Sequence, residues 1–487
     1  MTAPVPLTHL IDGSWTEGAS NTLVISTNPA HPEQQVALGT GAGPADLDRA
    51  VTAARTALPQ WAHASAHERG AVLLRAAEIV DAAAELWGIE LAREEGKTLA
   101  EAVGEVHRAA QILRYYGNDA DRESGELYQS PRRGERIIVT RKPVGVVGAI
   151  TPFNFPIAIP AWKIAPALTY GNTVVWKPAG TVPLLAMRLA QALDEAGLPA
   201  GALNLLIGES EIGSGIVEHP GIDAITFTGS TGIGRSIAAT AAARGVPVQA
   251  EMGGKNAAVV LADADLDLAV EQVMLGAFRS SGQKCTATSR LVLDQQIAGD
   301  FLGELGKRTA ELRLGDPMDA DSDLGPVITG GARTSIVGGV ERAMAQGATR
   351  LTGGTPELST SLADGHFVTP TVLQLDSTAY DVWREELFGP VLAAVHARDT
   401  ENALALAADS EYGLSASVFT QDLTLALDAI DSLDVGVLHV NSESAGADPH
   451  VPFGGAGKSG LGPKEQGRTA REFFTHTTTV YLRGGTI

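Results

Sequence analysis

Apolar positions divide this chain into stretches of different period. From about Pro44 to Leu113, Ala, Leu and Val recur at three- and four-residue spacing with Glu and Arg between them, which predicts helix. Residues 136–150 read as strands, punctuated by Pro143-Val144-Gly145. The pattern then alternates. Short apolar runs at 172–178, 203–207, 224–229 and 246–254 predict strands, with helices at 182–197, at 211–218 and from about Thr231. Alternation of this kind belongs to parallel βαβ units, and right-handed crossovers then give an open doubly wound sheet with ligands at the carboxyl ends of its strands. A second alternating unit runs from 256 to about 440, with strands at 290–294 and 391–397 and helices near 266–279, 331–347 and 400–408. Two strand-like stretches, 119–141 and 477–482, have no place in a βαβ unit; they could pair with each other or with another subunit.

Between Val144 and Trp162 no residue is charged, a run that hydropathy alone reads as a span. Pro152, Pro156 and Pro160 break a spanning helix, so the segment is expected to be a buried strand followed by an irregular loop. At 487 residues the chain has length for about three structural units and can bury a large core without disulfides or metals. Its net charge of −21 leaves no basic surplus for nucleic acid or an anionic membrane. An anionic substrate needs only a local cation and stays open. The single cysteine, Cys285, excludes an internal disulfide; with no signal peptide to read, a cytoplasmic protein is expected. No metal site is expected.

Candidate chemistry gathers at three loops. Cys285 lies between the end of a helix starting near Leu266 and the strand at 290, with Gly282 and Lys284 beside it. Glycine admits a ligand and the lysine favours a thiolate, although a lone cysteine is more often a small buried hydrophobe. Glu251 ends a strand ahead of Gly253-Gly254, where a carboxylate can act as general base or merely cap. Phe227-Thr228-Gly229-Ser230-Thr231 joins a strand to a helix, the arrangement that a pyrophosphate uses, although such turns are common.

Seven runs in order give the chain a resemblance to the aldehyde dehydrogenase superfamily: Thr151-Pro152-Phe153-Asn154-Phe155-Pro156, Trp176-Lys177-Pro178-Ala179, Phe227-Thr228-Gly229-Ser230-Thr231, Glu251-Met252-Gly253-Gly254-Lys255, Gly282-Gln283-Lys284-Cys285, Glu386-Leu387-Phe388-Gly389-Pro390 and Pro452-Phe453-Gly454-Gly455. The resemblance implies a Rossmann-like NAD(P)-binding domain (1–118 and 142–253), an α/β catalytic domain (254–453) and a small β oligomerisation arm (119–141 and 470–487) that supports a homodimer or homotetramer. It implies Cys285 as nucleophile, Asn154 with the Cys285 amide as oxyanion hole, and Glu251 as the base for deacylation. For NADP or NAD it implies Thr151, Pro152, Phe153, Lys177, Ala179, Gly180, Gly208, Phe227, Gly229, Ser230, Ile233, Gly253, Glu386 and Phe388. Lys177 holds the adenine ribose, Gly229 and Ser230 the pyrophosphate, Glu386 and Phe388 the nicotinamide ribose and ring. CoA-acylating relatives typically lack the glutamate present here as Glu251, and a non-catalytic relative would tolerate loss of Cys285, Asn154 or Glu251.

Gly180 stands where NAD-preferring members often carry a glutamate, so nothing at that position is expected to repel a 2′-phosphate, and NADP is expected to be somewhat preferred. Residues 441–453, 282–290 and 462–467 resemble the bacterial α-ketoglutaric semialdehyde (2,5-dioxovalerate) dehydrogenases. Trp162 departs from the succinate-semialdehyde pattern; a broad aliphatic or aromatic aldehyde specificity is the alternative. Phe155, Arg279, Ala447 and Phe453 are expected around the substrate mouth. Arg279 is either a clamp for a substrate carboxylate or a solvated arginine at a helix end.

Overall fold

A computed structural model describes residues 3–120, 122 and 125–484. Its centre is two sheets set edge to loop. The first has eight strands in the order Gly460–Leu461, Val248–Met252, Ala224–Gly229, Val146–Ile150, Thr173–Lys177, Leu203–Leu205, His9–Ile11 and Ser14–Thr16. The five from Val248–Met252 to Leu203–Leu205 run parallel, as the alternating pattern predicts. Order reverses between Val146–Ile150 and Ala224–Gly229, which makes a switch point at their carboxyl ends. The second sheet has seven strands: Thr349–Arg350, Thr371–Gln374, Val391–Ala397, Thr288–Asp294, Asn256–Val260, Ser415–Phe419 and Val437–Val440. All but the first are parallel.

Helices Pro44–His63, Ala66–Ala82, Ala84–Glu95 and Leu99–Asp119 fill the stretch read as helical. Ser65 and Thr98 each form a capping box with the glutamate three residues on, which sets where the second and fourth begin. Strands Glu135–Pro143 and Thr475–Arg483 pair antiparallel, with Gly125–Gln129 on the other side of the first. The two strand-like segments thus pair with each other; residues 121, 123, 124 and 485–487 lie outside the described residues.

One expectation fails. After the strand Val146–Ile150, the chain loops only to Ile157 and then forms the helix Ala158–Thr169, every residue of which is buried. Pro160 sits in its first turn, where amides have no intrahelical partner to lose. Pro166 lies inside, and dense packing holds the helix despite the missing donor. No helix among the described residues is long and apolar enough to cross a membrane.

Candidate active site

The carboxyl ends of the first sheet face the amino ends of the second, and the candidate residues gather between them. The second sheet therefore departs from the carboxyl-end expectation: Cys285 and Asn256 stand where the strands Thr288–Asp294 and Asn256–Val260 begin.

Helix Leu266–Phe278 ends at Arg279, after which Ser280, Ser281 and Gly282 all take left-handed backbone, with φ of 53°, 52° and 69°. Two such non-glycine residues cost about 1–3 kcal/mol each. Side chains and backbone hold them in place: the Ser280 amide donates to Glu101 Oε1 at 2.9 Å, and Ser281 Oγ donates to the Gly325 carbonyl at 2.7 Å. At Gly282 a Cβ would sit 2.3 Å from the Gly389 carbonyl oxygen, so only glycine fits. Cys285 then lies in a turn closed by the Ala287 amide on the Lys284 carbonyl, 3.0 Å. Asn256 Nδ2 donates to the carbonyls of Cys285 (2.8 Å) and Ala287 (2.9 Å), and Ser444 Oγ donates to that of Thr286 (2.6 Å). Asn256, Ser444 and Glu101 were not singled out in the sequence, because each acts on a loop distant in the chain.

The thiol is partly buried at the base of a cavity. Burial, with the charges of Glu251 and Glu386, pushes its pKa up to about 12. Lys284 does not offset this. Its ammonium turns away, donating to the Leu275 carbonyl at 3.1 Å and facing Glu443 at 3.4 Å. The expectation that Lys284 favours the thiolate is thereby corrected.

Asn154 is buried beside the same turn; its Nδ2 donates to the Gln283 carbonyl at 3.0 Å, while its own carbonyl accepts from Lys97 Nζ at 2.8 Å. Lys97 is in turn paired with Glu105 at 2.6 Å. Glu251 accepts from the Gly455 amide at 3.0 Å, and burial, followed by the charge of Glu465, holds its pKa well above the usual carboxylate range. Glu465 forms a buried ion pair with Lys163, whose Nζ also donates to Thr226 Oγ1 at 3.0 Å.

Most of the predicted nucleotide residues lie at or just beyond the carboxyl ends of the first sheet's strands, and Glu386 and Phe388 reach that end from the loop before Val391–Ala397. Gly229 and Ser230 straddle the end of Ala224–Gly229 and the start of helix Thr231–Ala243, whose first turn receives no side-chain cap. Its amides are therefore open to an anion. Ile233 is 58% exposed on that turn, a free apolar surface beside the open amides. Phe227 is buried beneath, its ring against Gly229 and Gly234, so it shapes the turn from below. Thr151 is committed too: its Oγ1 accepts from Trp176 Nε1 at 2.9 Å. Pro152 follows it, and the Phe153 ring meets Phe388 edge-on at 5.7 Å. Phe388 has φ 53°. Glu386 accepts from the Gly254 amide at 3.1 Å and approaches so near that a Cβ on Gly253 would lie 1.9 Å from its Oε2. Lys177, Ala179 and Gly180 extend the end of Thr173–Lys177, next to Gly208 on the neighbouring turn. Uncapped amides, an exposed isoleucine and a buried lysine at one sheet end fit a dinucleotide.

Phe155, Arg279 and Phe453 share with Cys285 the wall of a cavity of about 400 Å³, together with Trp162, Ala447 and Arg108. The Arg279 side chain is 50% exposed, and its guanidinium faces Glu443 Oε1 at 3.4 Å and Glu101 Oε1 at 3.6 Å. Arg279 thus ends a helix and lines the cavity, with its guanidinium facing two carboxylates of the chain itself.

The sequence model described as the aldehyde dehydrogenase family matches residues 15–480. The chain is 40% identical to the α-ketoglutaric semialdehyde dehydrogenase of Bacillus subtilis (strain 168), covering 98% of each. It is 36% identical to a betaine aldehyde dehydrogenase of Rhizobium etli, over 100% of this chain and 99% of that one. The solved structure of betaine aldehyde dehydrogenase from Staphylococcus aureus in complex with NAD+ superposes with a TM-score of 0.95 at 32% identity, covering 99% of this chain and 95% of the other. The chain therefore belongs to the aldehyde dehydrogenase family, has its fold, and is an NAD(P)-dependent oxidoreductase acting on aldehydes.

Proposed function

We propose that Cys285 is the nucleophile, Asn154 with the Cys285 amide the oxyanion hole, and Glu251 the hydrolytic base of an enzyme that oxidises an acidic semialdehyde, α-ketoglutaric semialdehyde (2,5-dioxovalerate). The Cys285 sulfur bonds the aldehyde carbon and makes a thiohemiacetal oxyanion. The second N–H of Asn154 Nδ2, beyond the one given to the Gln283 carbonyl, and the Cys285 amide are the donors that stabilise the charge as it develops. Bound NAD(P)+ supplies the hydride acceptor. Loss of hydride from the thiohemiacetal carbon leaves an acyl thioester on Cys285; Glu251 then takes a proton from water, whose oxygen attacks the thioester carbon as the C–S bond breaks, releasing the carboxylic acid and the thiolate. Under the same reading, residues 1–118 and 142–253 form the cofactor-binding unit and 254–453 the catalytic one. Segments 119–141 and 470–487 are the oligomerisation arm, and the edge strand Thr475–Arg483 of its three-stranded sheet is suited to joining another subunit in a dimer or tetramer. A lone thiol that must stay reduced suits the cytoplasm.

One observation carries the substrate reading: Arg108 and Arg279 line the cavity above Cys285. Both are already paired, Arg279 with Glu443 and Glu101 and Arg108 with Asp448, so in a protein of net charge −21 a substrate carboxylate would bind by competing for these guanidiniums, a contact that the quaternary ammonium of betaine aldehyde cannot make. The small Ala447 leaves length for a five-carbon acid. The aromatic wall of Phe155, Trp162 and Phe453 favours the alternative, a broad specificity for neutral aldehydes. Arg279→Leu is expected to raise KM for 2,5-dioxovalerate at least about tenfold, roughly 1.4 kcal/mol, and to leave hexanal nearly unchanged. Equal effects on both substrates, or none on either, would remove Arg279 from substrate binding. Wild-type kcat/KM higher for hexanal or betaine aldehyde than for 2,5-dioxovalerate would overturn the substrate.

The raised thiol pKa has its own consequence. A protonated Cys285 reacts only through its thiolate fraction, which grows about tenfold per pH unit below the pKa. Carbamidomethylation of the cofactor-free protein by iodoacetamide is thus expected to climb steadily from pH 7 to about 10. A plateau near neutrality would show that the thiol is already ionised.

A further inference from the structure

The adenine-ribose end of the cofactor groove holds a carboxylate that the sequence motif does not reveal. Strands Thr173–Lys177 and Leu203–Leu205 are parallel neighbours, with Trp176 opposite Leu205. Their following turns, Pro178-Ala179-Gly180 and Gly208-Glu209, consequently lie side by side. A Cβ built on Gly180 would meet only two atoms within 4 Å: the Gly208 carbonyl oxygen at 3.7 Å and Glu209 Oε1 at 3.8 Å. The open space above Gly180 is therefore bordered by the Glu209 carboxylate. Glu209 occupies the N-cap of the helix Ser210–Glu218, yet its side chain makes no capping bond. Among the described residues that carboxylate has no hydrogen-bond or ion-pair partner, and Glu209 is exposed. Lys177 stands close enough to feel its charge. The stem of Lys177 packs against Gly213 of the same helix, which fixes lysine and glutamate on one element pair.

We propose that Glu209 replaces the carboxylate absent at Gly180, accepting hydrogen bonds from the adenine-ribose hydroxyls of NAD+ and excluding the 2′-phosphate of NADP+. A ribose diol offers two donors to an acceptor-only group, whereas a 2′-phosphate offers only negative charge. Lys177 attracts either cofactor, so the discrimination falls to Glu209. This reverses the expectation that nothing near Gly180 repels a 2′-phosphate, and makes NAD+ the preferred cofactor. It rests on the reading that Lys177, Gly180 and Gly208 hold the adenine ribose.

Dissociation constants of the binary complexes with NAD+ and NADP+, measured by calorimetry on the full chain, test it without catalysis. Wild-type protein is expected to bind NAD+ at least tenfold more tightly than NADP+. In Glu209→Gln that ratio is expected to fall at least tenfold, chiefly by tighter NADP+ binding, and Glu209→Arg is expected to invert it. The kcat/KM ratios should move in parallel. An unchanged ratio in both Glu209 variants, with Lys177→Ala weakening both cofactors, overturns the role of Glu209 while leaving the ribose site standing. If Lys177→Ala weakens neither cofactor, the ribose site itself lies elsewhere and the proposal falls with it.

Discussion

Cys285→Ala is expected to abolish aldehyde-dependent reduction of the cofactor, lowering kcat/KM by at least about 10⁴-fold, or roughly 5.5 kcal/mol of transition-state stabilisation. The chain has no second cysteine to substitute for it. Neighbouring hydroxyls are poor substitutes: Ser281 donates to the Gly325 carbonyl, Ser280 to Glu101, and the Thr286 hydroxyl is a far weaker acid and nucleophile than a thiol. The substitution removes one sulfur atom from a turn whose geometry is set by other residues: Asn256 and Ser444 hold the carbonyls of Cys285, Ala287 and Thr286, and none of these bonds uses the thiol. Folding and binary NAD(P)+ binding should therefore survive, which separates loss of chemistry from loss of structure. The assay is absorbance of the reduced cofactor, with thermal unfolding and cofactor binding as controls. Residual activity above about 1% in a variant that still binds cofactor would place the nucleophile elsewhere.

Much of this is legible in the sequence. Periodicity set the five parallel strands of the first sheet, because buried parallel strands are short apolar runs and the crossover helices between them are amphipathic. It failed where local signals are weak or contradictory. Helix Ala158–Thr169 contains Pro160, one of the prolines that argue for a loop, and Pro166 besides, and only its complete burial explains its persistence. Helix Ala298–Ala310 carries Gly299, Gly303 and Gly306, which mute its propensity; Phe301, Leu302 and Leu305 secure it by packing. The hairpin of His9–Ile11 and Ser14–Thr16 did leave a trace in Asp12-Gly13, whose φ values of 52° and 70° are those of a tight type I′ turn. Around the site, motifs named the side chains nearest the reacting atoms. They did not name Asn256, Ser444 or Glu101, nor the carboxylate of Glu209, since each reaches its target across a fold and carries no local spacing. The direction in which Lys284 points was equally beyond sequence: helix Leu266–Phe278 offers a carbonyl at Leu275, and Glu443 a charge, that outcompete the thiol.

Glu251→Gln should separate the two halves of the reaction. With the oxidative half intact, mixing enzyme, cofactor and aldehyde is expected to give a rapid burst of reduced cofactor equal to the active-site concentration. Steady turnover is then expected to fall by about 10²–10⁴-fold, the usual contribution of a positioned general base. Glutamine is close in shape, and its amide oxygen can still accept from the Gly455 amide, so the loop that covers the site keeps its anchor. What it cannot do is take a proton from water. The wild-type carboxyl also predicts a pH signature. Because burial and Glu465 hold its pKa well above the usual carboxylate range, Glu251 gains its basic form only at higher pH than an exposed carboxylate does. Steady-state kcat should accordingly increase with pH in the wild type, and Glu251→Gln should lose that limb. The acyl-enzyme that accumulates in the variant is open to direct detection as a mass increase on the peptide carrying Cys285, removed by hydroxylamine. A variant with no burst, whose single-turnover reduction of the cofactor slows as much as its steady state, would place Glu251 in the oxidative half and leave the hydrolytic base unassigned.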